Sequence, residues 1–238
     1  MSEQSAVAGD PIVVAEHLHK TFTGPAGEPV VALDDVSLQV GGGEMAVVMG
    51  PSGAGKSTLL QVLAGLDRPD SGTVRIGGDD ITRWGDRRLA QLRRRRLGFV
   101  FQSFNLVDSL TARENIALPV EIDGDHVDTD RLEALADSLG IVDRLDHLPG
   151  QLSGGQQQRV AVARALFADP DVVFADEPTG ALDEESAQHL TEILLQVAHD
   201  HGHAVVAVSH DPNLAARGDA VYRLAAGRLD RVAVAAAL

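Results

Sequence analysis

The stretch Gly50-Pro51-Ser52-Gly53-Ala54-Gly55-Lys56-Ser57-Thr58 follows the apolar run Met45-Ala46-Val47-Val48-Met49 and precedes Leu59-Leu60-Gln61-Val62-Leu63-Ala64, whose pattern reads as a helix. Strand, glycine loop and helix in that order form the context that a phosphate-binding loop requires. Glycines let the backbone curl so that successive N–H groups point at phosphate oxygens, and the following helix presents its positive dipole end to the same anion. In that arrangement Lys56 reaches the β- and γ-phosphates of a nucleotide, and the Ser57 hydroxyl reaches a magnesium ion.

Three further apolar runs end, like Met45 to Met49, in polar residues. Leu97 to Phe101 ends at Gln102, Val172 to Ala175 at Asp176 and Glu177, and Ala204 to Val208 at Ser209 and His210. Runs this continuous suit strands buried on both faces of a parallel sheet. The carboxyl ends of such strands share one edge, where open α/β sheets bind ligands. Phosphoryl transfer to water needs a metal ion, a group that acts on the water, and donors around the γ-phosphate. Asp176 is the expected metal partner of Ser57, Glu177 is free to act on water, Gln102 offers an amide to the metal or the water, and His210 can donate to the γ-phosphate.

Ser153-Gly154-Gly155-Gln156 opens a helix running to about Ala168, with a serine and a glutamine at capping-box spacing. A hydroxyl, exposed N–H groups and a helix N-terminus make a second anion cradle, here with no lysine or metal ligand after it. Two readings stand: a well-capped helix, or a half-site closing over the γ-phosphate held by another copy of the chain.

Elsewhere the chain punctuates itself. Ile12 to Val40 reads as two antiparallel strands around the turn-rich Thr23 to Pro29, and Thr73 to Ile76 as another short strand. Trp84 to Arg96 reads as a surface helix whose Arg93-Arg94-Arg95-Arg96 end is a solvated face complementing the dipole. From Ser103 to Gly150 the texture turns helical, which suggests an inserted subdomain. Asp123, Asp125, Asp128 and Asp130 do not have the offsets of a calcium loop and read as an acidic loop before a helix over Arg131 to Leu139. Glu184 to Ala198 is an amphipathic helix; His199, His201 and His203 at its exit suit a helix C-terminus better than a metal site. Asp219 to Leu238 reads as one or two closing strands around Ala226-Gly227.

Composition narrows the function further. The 238 residues are 44% apolar, enough to bury one large core. A net charge of −15 argues against a nucleic-acid binder, which needs clustered Lys and Arg to displace counterions. With no cysteine there is no disulfide, thiolate zinc site or cysteine nucleophile, in keeping with a reducing compartment. Met1 to Asp10 reads as a flexible tail without signal-peptide character, and no apolar run approaches the roughly 20 residues that cross a bilayer. Membrane association is therefore expected through a partner.

Leu152-Ser153-Gly154-Gly155-Gln156 resembles the signature of the ATP-binding cassette (ABC) family, and it lies between Gln102 and Asp176-Glu177 as in that family. With the phosphate loop and His210, the resemblance spans nearly the whole chain. It implies an α/β fold: a P-loop NTPase, RecA-like core with an antiparallel β subdomain and an inserted α-helical subdomain at about 103–150, all one nucleotide-binding domain over 11–238. It also implies ATP and Mg2+ as ligands, with ATP contacts from Phe22, Gly50, Ser52, Gly53, Gly55, Lys56, Ser57 and Thr58. Ser153, Gly154, Gly155 and Gln156 would meet the partner's ATP in a homodimer, Asp183 would couple the two sites, and Phe22 would stack on adenine where many members have tyrosine. Phe101 to Leu106 and Leu110 to Asn115 look like the branch containing the MacB, LolD and FtsE ATPases. Members of that branch pair, at the cytoplasmic face, with an integral membrane permease carrying a large extracytoplasmic region. The expected function is ATP hydrolysis powering such a permease. The alternatives are mechanotransmission to envelope or cell-division enzymes, or a soluble ABC ATPase acting on DNA or the ribosome.

Overall fold

The computed structural model describes residues 11–180, 182–200 and 202–233. The expected tail over 1–10, Ala181, His201 and the last residues of the closing segment, 234–238, lie outside them. The chain begins with a hairpin, β1 (Pro11–Thr23) antiparallel to β2 (Pro29–Gly41), and then β3 (Met45–Met49) leads through the glycine loop into α1 (Lys56–Leu63). Next come β4 (Ser71–Ile76), the short β5 (Asp79–Asp80), α2 (Asp86–Arg96) and β6 (Leu97–Phe101). Helices α3 (Ala112–Asp123), α4 (Thr129–Ser138) and α5 (Gly154–Phe167) precede β7 (Val172–Asp176), α6 (Glu184–His199) and β8 (Ala204–Ser209). Helix α7 (Pro212–Arg217) and the hairpin β9 (Ala220–Ala225) and β10 (Arg228–Val232) close the described chain.

Among the described residues the strands form two sheets, an antiparallel one ordered β2-β1-β4-β5 and a mainly parallel one ordered β10-β9-β3-β8-β7-β6. In the second, β3, β6, β7, β8 and β9 run parallel and only β10 is reversed. Side chains alternate between its faces with the strand period of two. Ala46, Val48, Phe174, Val206 and Val208 pack with Leu59 and Leu63 of α1 and with Leu18, Leu33 and Leu38 of the antiparallel sheet. Met45, Val47, Val173, Ala175, Val205 and Ala207 pack the other way, onto Ile116 of α3, Val160 of α5, Leu194 of α6 and Leu214 of α7. Burial on both faces explains why these strands read as unbroken apolar runs rather than alternating ones.

The arginine run differs from expectation. Helix α2 begins at Asp86 rather than Trp84, and Arg93 to Arg96, of which only Arg95 is exposed, are tethered to acceptors elsewhere in the chain rather than free. Arg93 donates to the Gly65 carbonyl at 2.7 Å, Arg94 and Arg95 both grip Asp123, and Arg96 pairs with Asp171 and with Asp79 at 2.9 Å. The run thus ties the antiparallel sheet to α3 and to the start of β7. Asp123 closes α3 and is spent on those arginines, and Asp128 accepts from Arg131 N–H as the cap of α4. That helix starts at Thr129, slightly earlier than the expected Arg131.

Asn115, fully buried on α3, holds the segment between β6 and α3. Its amide donates to the carbonyls of Val107, Leu110 and Thr111 at 3.1, 3.0 and 3.0 Å and accepts from Val107 N–H at 2.8 Å. Asn115→Ala strands several buried backbone groups, an expected loss of about 2–3 kcal/mol of stability. In thermal denaturation the midpoint should fall by roughly 5–10 °C; an unchanged midpoint would mean that the segment does not depend on this side chain.

Candidate active site

Two glycines let the loop after β3 take its course. A Cβ on Gly50 would lie 2.3 Å from the Leu224 carbonyl oxygen. One on Gly55, at φ +98°, would lie 2.4 Å from that of Ala32. Any side chain at either position would push the loop away from β9 or β2. Gly53 is also left-handed, at φ +78°. Gly55 is the N-cap of α1 and supplies no side-chain hydrogen bond, and the first turn holds no acidic residue. The first N–H groups of α1 are therefore left without a side-chain acceptor at its positive end.

Lys56 is nearly buried, 9% exposed, and folds back over the loop. Its Nζ donates to the Gly50 carbonyl at 2.9 Å and to that of Pro51 at 3.3 Å, and it lies 3.5 Å from Glu177 Oε1. The other Glu177 oxygen accepts from His210, 2.8 Å from Nδ1 and 3.2 Å from the backbone N–H. One carboxylate thus joins the end of β7, the start of α1 and the residue after β8. Beside it the Ser57 hydroxyl donates to Asp176 Oδ1 at 3.4 Å. Burial pushes the Asp176 carboxyl up, opposed by the Ser57 bond; the Glu177 charge raises it further and Lys56 lowers it. Gln102, at the end of β6, packs its amide against the turn after Glu177: a Cβ on Gly180 would lie 3.1 Å from its Nε2. The polar ends of β3, β6, β7 and β8 therefore share one edge of the sheet.

The donor set suits a magnesium ion. Ser57 and Asp176 offer hard oxygens close together, and a carboxylate whose charge is disfavoured by burial gains from a cation.

Glu177 sits at φ +47°, a left-handed conformation unusual outside glycine. Its N–H is anchored to the Val208 carbonyl at 2.9 Å, and Gly180 N–H closes the turn on the Glu177 carbonyl at 3.1 Å. Phe22 lies at the end of β1, 42% exposed, opposite Val30, with Lys20 Nζ 5.1 Å from its ring centre. The same hairpin reaches the glycine loop through Ala32.

Ser153 to Gln156 start α5 with both capping-box bonds in place, Ser153 N–H to Gln156 Oε1 at 2.9 Å and Gln156 N–H to Ser153 Oγ at 3.3 Å. Among the described residues, none of the side-chain hydrogen bonds of this cap reaches Lys56, Ser57, Asp176 or Glu177. Asp183 caps α6, accepting from Ser186 N–H at 2.9 Å and from its hydroxyl at 3.1 Å, and those bonds hold its carboxyl below the usual range. Of the three histidines at the exit of α6, His199, its last residue, pairs with Asp219 at 3.0 Å and His201 lies outside the described residues. Among the described residues no group of three His, Cys, Asp or Glu side chains could hold a metal ion.

Several contributors escape a reading of motifs. Asp211, the cap of α7, accepts from Thr179 Oγ1 at 3.1 Å and so ties the turn after Glu177 to the segment after His210. Arg164 of α5 donates to the Phe104 and Asn105 carbonyls at 2.8 and 2.6 Å, clasping a loop in which both residues have positive φ. Gln158, also on α5, donates to the Pro178 carbonyl at 3.2 Å. None of them leaves a local signal in the sequence, because each partner lies in another segment.

Comparison with known proteins agrees with this geometry. The model of a family described as ABC transporter matches residues 33–180. The chain belongs to that family, and within it is an ATP-binding, ATP-hydrolysing cassette that works with ATP and magnesium. It is 47% identical over 205 residues to an uncharacterized ABC transporter ATP-binding protein of Thermotoga maritima, covering 85% of this chain and 87% of that one. It is 45% identical over 222 residues to the lipoprotein-releasing system ATP-binding protein LolD of Bordetella pertussis, covering 92% of this chain and 95% of LolD. It is also 45% identical over 227 residues to a macrolide export ATP-binding/permease protein MacB of Paracoccus denitrificans, covering 94% of this chain but only 34% of MacB. The chain thus spans about a third of the length of that relative. A solved dimeric structure of the bacterial ABC transporter cassette MJ0796 superposes with a TM-score of 0.85 at 37% identity, covering 93% of this chain and 98% of that one. A second structure of that cassette is a post-hydrolysis state bound to ADP and Pi.

Proposed function

We propose that two copies of this chain close head to tail on two ATP molecules at the cytoplasmic face of a membrane and so drive a separate permease with a large extracytoplasmic region. The reading rests above all on the Glu177 carboxylate, held between Lys56 and His210 beside the Ser57–Asp176 pair. In this reading the loop from Gly50 to Thr58 holds the phosphates, with Ser52, Gly53 and Gly55 contributing backbone N–H groups and Lys56 its charge. Phe22 stacks on the adenine. Ser57 and Asp176, with Gln102, hold Mg2+, which when bound neutralises charge on the phosphates. Glu177 takes the proton of the attacking water, and His210 donates toward the γ-phosphate. Ser153 to Gln156 present their helix N-terminus to the ATP of the partner copy, and Asp183 lies between the two sites.

The helices between β6 and α5 form an inserted subdomain over about 103–150, within one nucleotide-binding domain. Where they meet the sheet lies a groove of about 470 Å³ lined by Leu66, Phe99, Phe101, Leu118, Pro119 and Ile122. Leu66 and Ile122 are 52% and 64% exposed there, and with the other lining residues they make a contiguous apolar surface of the kind that marks an interaction site, which supports this groove as the permease's seat. Among the described residues no helix is long and apolar enough to cross a membrane.

Affinity purification of the tagged chain from gently solubilised membranes, with mass spectrometry, tests the partner. A polytopic protein with a large extracytoplasmic region should co-purify in stoichiometric amount, and the architecture of that region would separate transport from force transmission to an envelope enzyme. Recovery of only soluble, nucleic-acid-associated proteins would overturn the proposal.

A further inference from the structure

Gln158 is a polar side chain where the fold asks for an apolar one. It is 1% exposed on α5, a helix in which Val160, Val162 and Ala163 are buried as well. Its Nε2 donates to the Pro178 carbonyl at 3.2 Å, whereas among the described residues its Oε1 has no hydrogen-bond partner. A buried amide left half satisfied is unfavourable relative to an apolar side chain of the same shape. Core packing therefore does not account for a glutamine here; the bond to Pro178 does.

That carbonyl belongs to the turn that aims Glu177. Glu177 is left-handed, at φ +47°, and a non-glycine residue persists there only where its surroundings hold it. Val208 holds the turn from the N–H side and Gly180 closes it, while Gln158 is the side chain that grips it from α5. Gly155 also lies close to Ser186, with little room between them: a Cβ there would be 3.2 Å from Ser186 Oγ, and Ser186 in turn bonds Asp183. The first turns of α5 are thus bonded to the segment after Glu177 at Pro178 and lie beside its far end at Ser186.

We propose that Gln158 is a positioning residue for hydrolysis: by holding the Pro178 carbonyl it keeps the Glu177 turn in its left-handed form and ties that turn to the helix that begins at Ser153. This rests on the reading of Glu177 as the residue that acts on water. A shift of α5 on engaging the partner's nucleotide would then be felt at the chain's own Glu177 through that hydrogen bond.

Gln158→Met keeps the length and volume of the side chain and removes the donor. In single-turnover hydrolysis by the purified full chain, kcat should fall about tenfold, as small displacements of a catalytic group do. The ATP concentration for half-saturation and the thermal midpoint should stay near those of the parent. Gln158→Leu should behave alike, which guards against a fault peculiar to methionine. In a Glu177→Gln background the same substitution should have no further effect, because it acts through Glu177. Turnover within twofold of the parent, or an equal loss in the Glu177→Gln background, would overturn the proposal. Near-normal turnover of Glu177→Gln by itself would instead remove the reading beneath it.

Discussion

Replacing Glu177 with glutamine should leave ATP binding in place and lower turnover on the order of 10²-fold or more, the contribution expected of a general base. The substitution keeps the volume and reach of the side chain, so the Lys56 ammonium and the His210 ring keep a polar neighbour at 3.5 and 2.8 Å. The turn is held by backbone bonds to Val208 and from Gly180, neither of which uses the carboxylate. The loop from Gly50 to Ser57 is untouched, and removing a negative charge near the phosphates does not oppose their binding. What is lost is the ability to accept a proton. Equilibrium titration with ATP, followed by phosphate release under saturating ATP, separates the two quantities. A turnover close to the parent's would take Glu177 out of this role and leave His210 to be tested next.

How much of this was legible follows from where the physical constraints lie. The parallel strands were readable because burial on both faces writes an unbroken apolar run: Met45 to Met49 and Ala204 to Val208 look alike and lie side by side. The α5 start was readable because capping is local, fixed by Ser153 and Gln156 within one turn. The short β5 was not, since its Asp79 and Asp80 lack strand character and pair only because β4 lies alongside. Nor was α7, six residues behind an Asp211 cap and Pro212, too short for a period to show.

The arginine run shows the limit most clearly. A string of like charges reads as a solvated face when only its neighbours in sequence are visible. Its acceptors, Asp79, Asp123 and Asp171, come from three separate parts of the chain. Long-range pairing of that kind leaves no local trace. Gln158 and Arg164 are invisible for the same reason: each lies in a helix identified from its cap, while its partner is a backbone carbonyl in another segment, whatever residue sits there. The residues proposed for the nucleotide site stand out in the sequence because phosphate binding demands particular side chains at fixed spacing; the residues that hold them in place answer only to the fold.

Lys56→Ala should weaken ATP binding by about one to two orders of magnitude, the equivalent of about 1.5–3 kcal/mol for a lost charge-assisted hydrogen bond to phosphate. The side chain is nearly buried and bonds the carbonyls of Gly50 and Pro51, so it braces the loop as well as carrying charge. A bracing role and a phosphate-binding role predict different things. If Lys56 only braced the loop, its removal would lower the thermal midpoint and weaken all adenine nucleotides alike. As a contact to the β- and γ-phosphates, it should cost ATP much more affinity than AMP, and the thermal midpoint should move little because the alanine loop is still bounded by Leu224 and Ala32. Titrations with ATP and AMP on the same preparation make the comparison internal. Equal weakening of both would leave Lys56 a structural residue, and unchanged ATP affinity would contradict the loop's holding phosphate through this lysine at all.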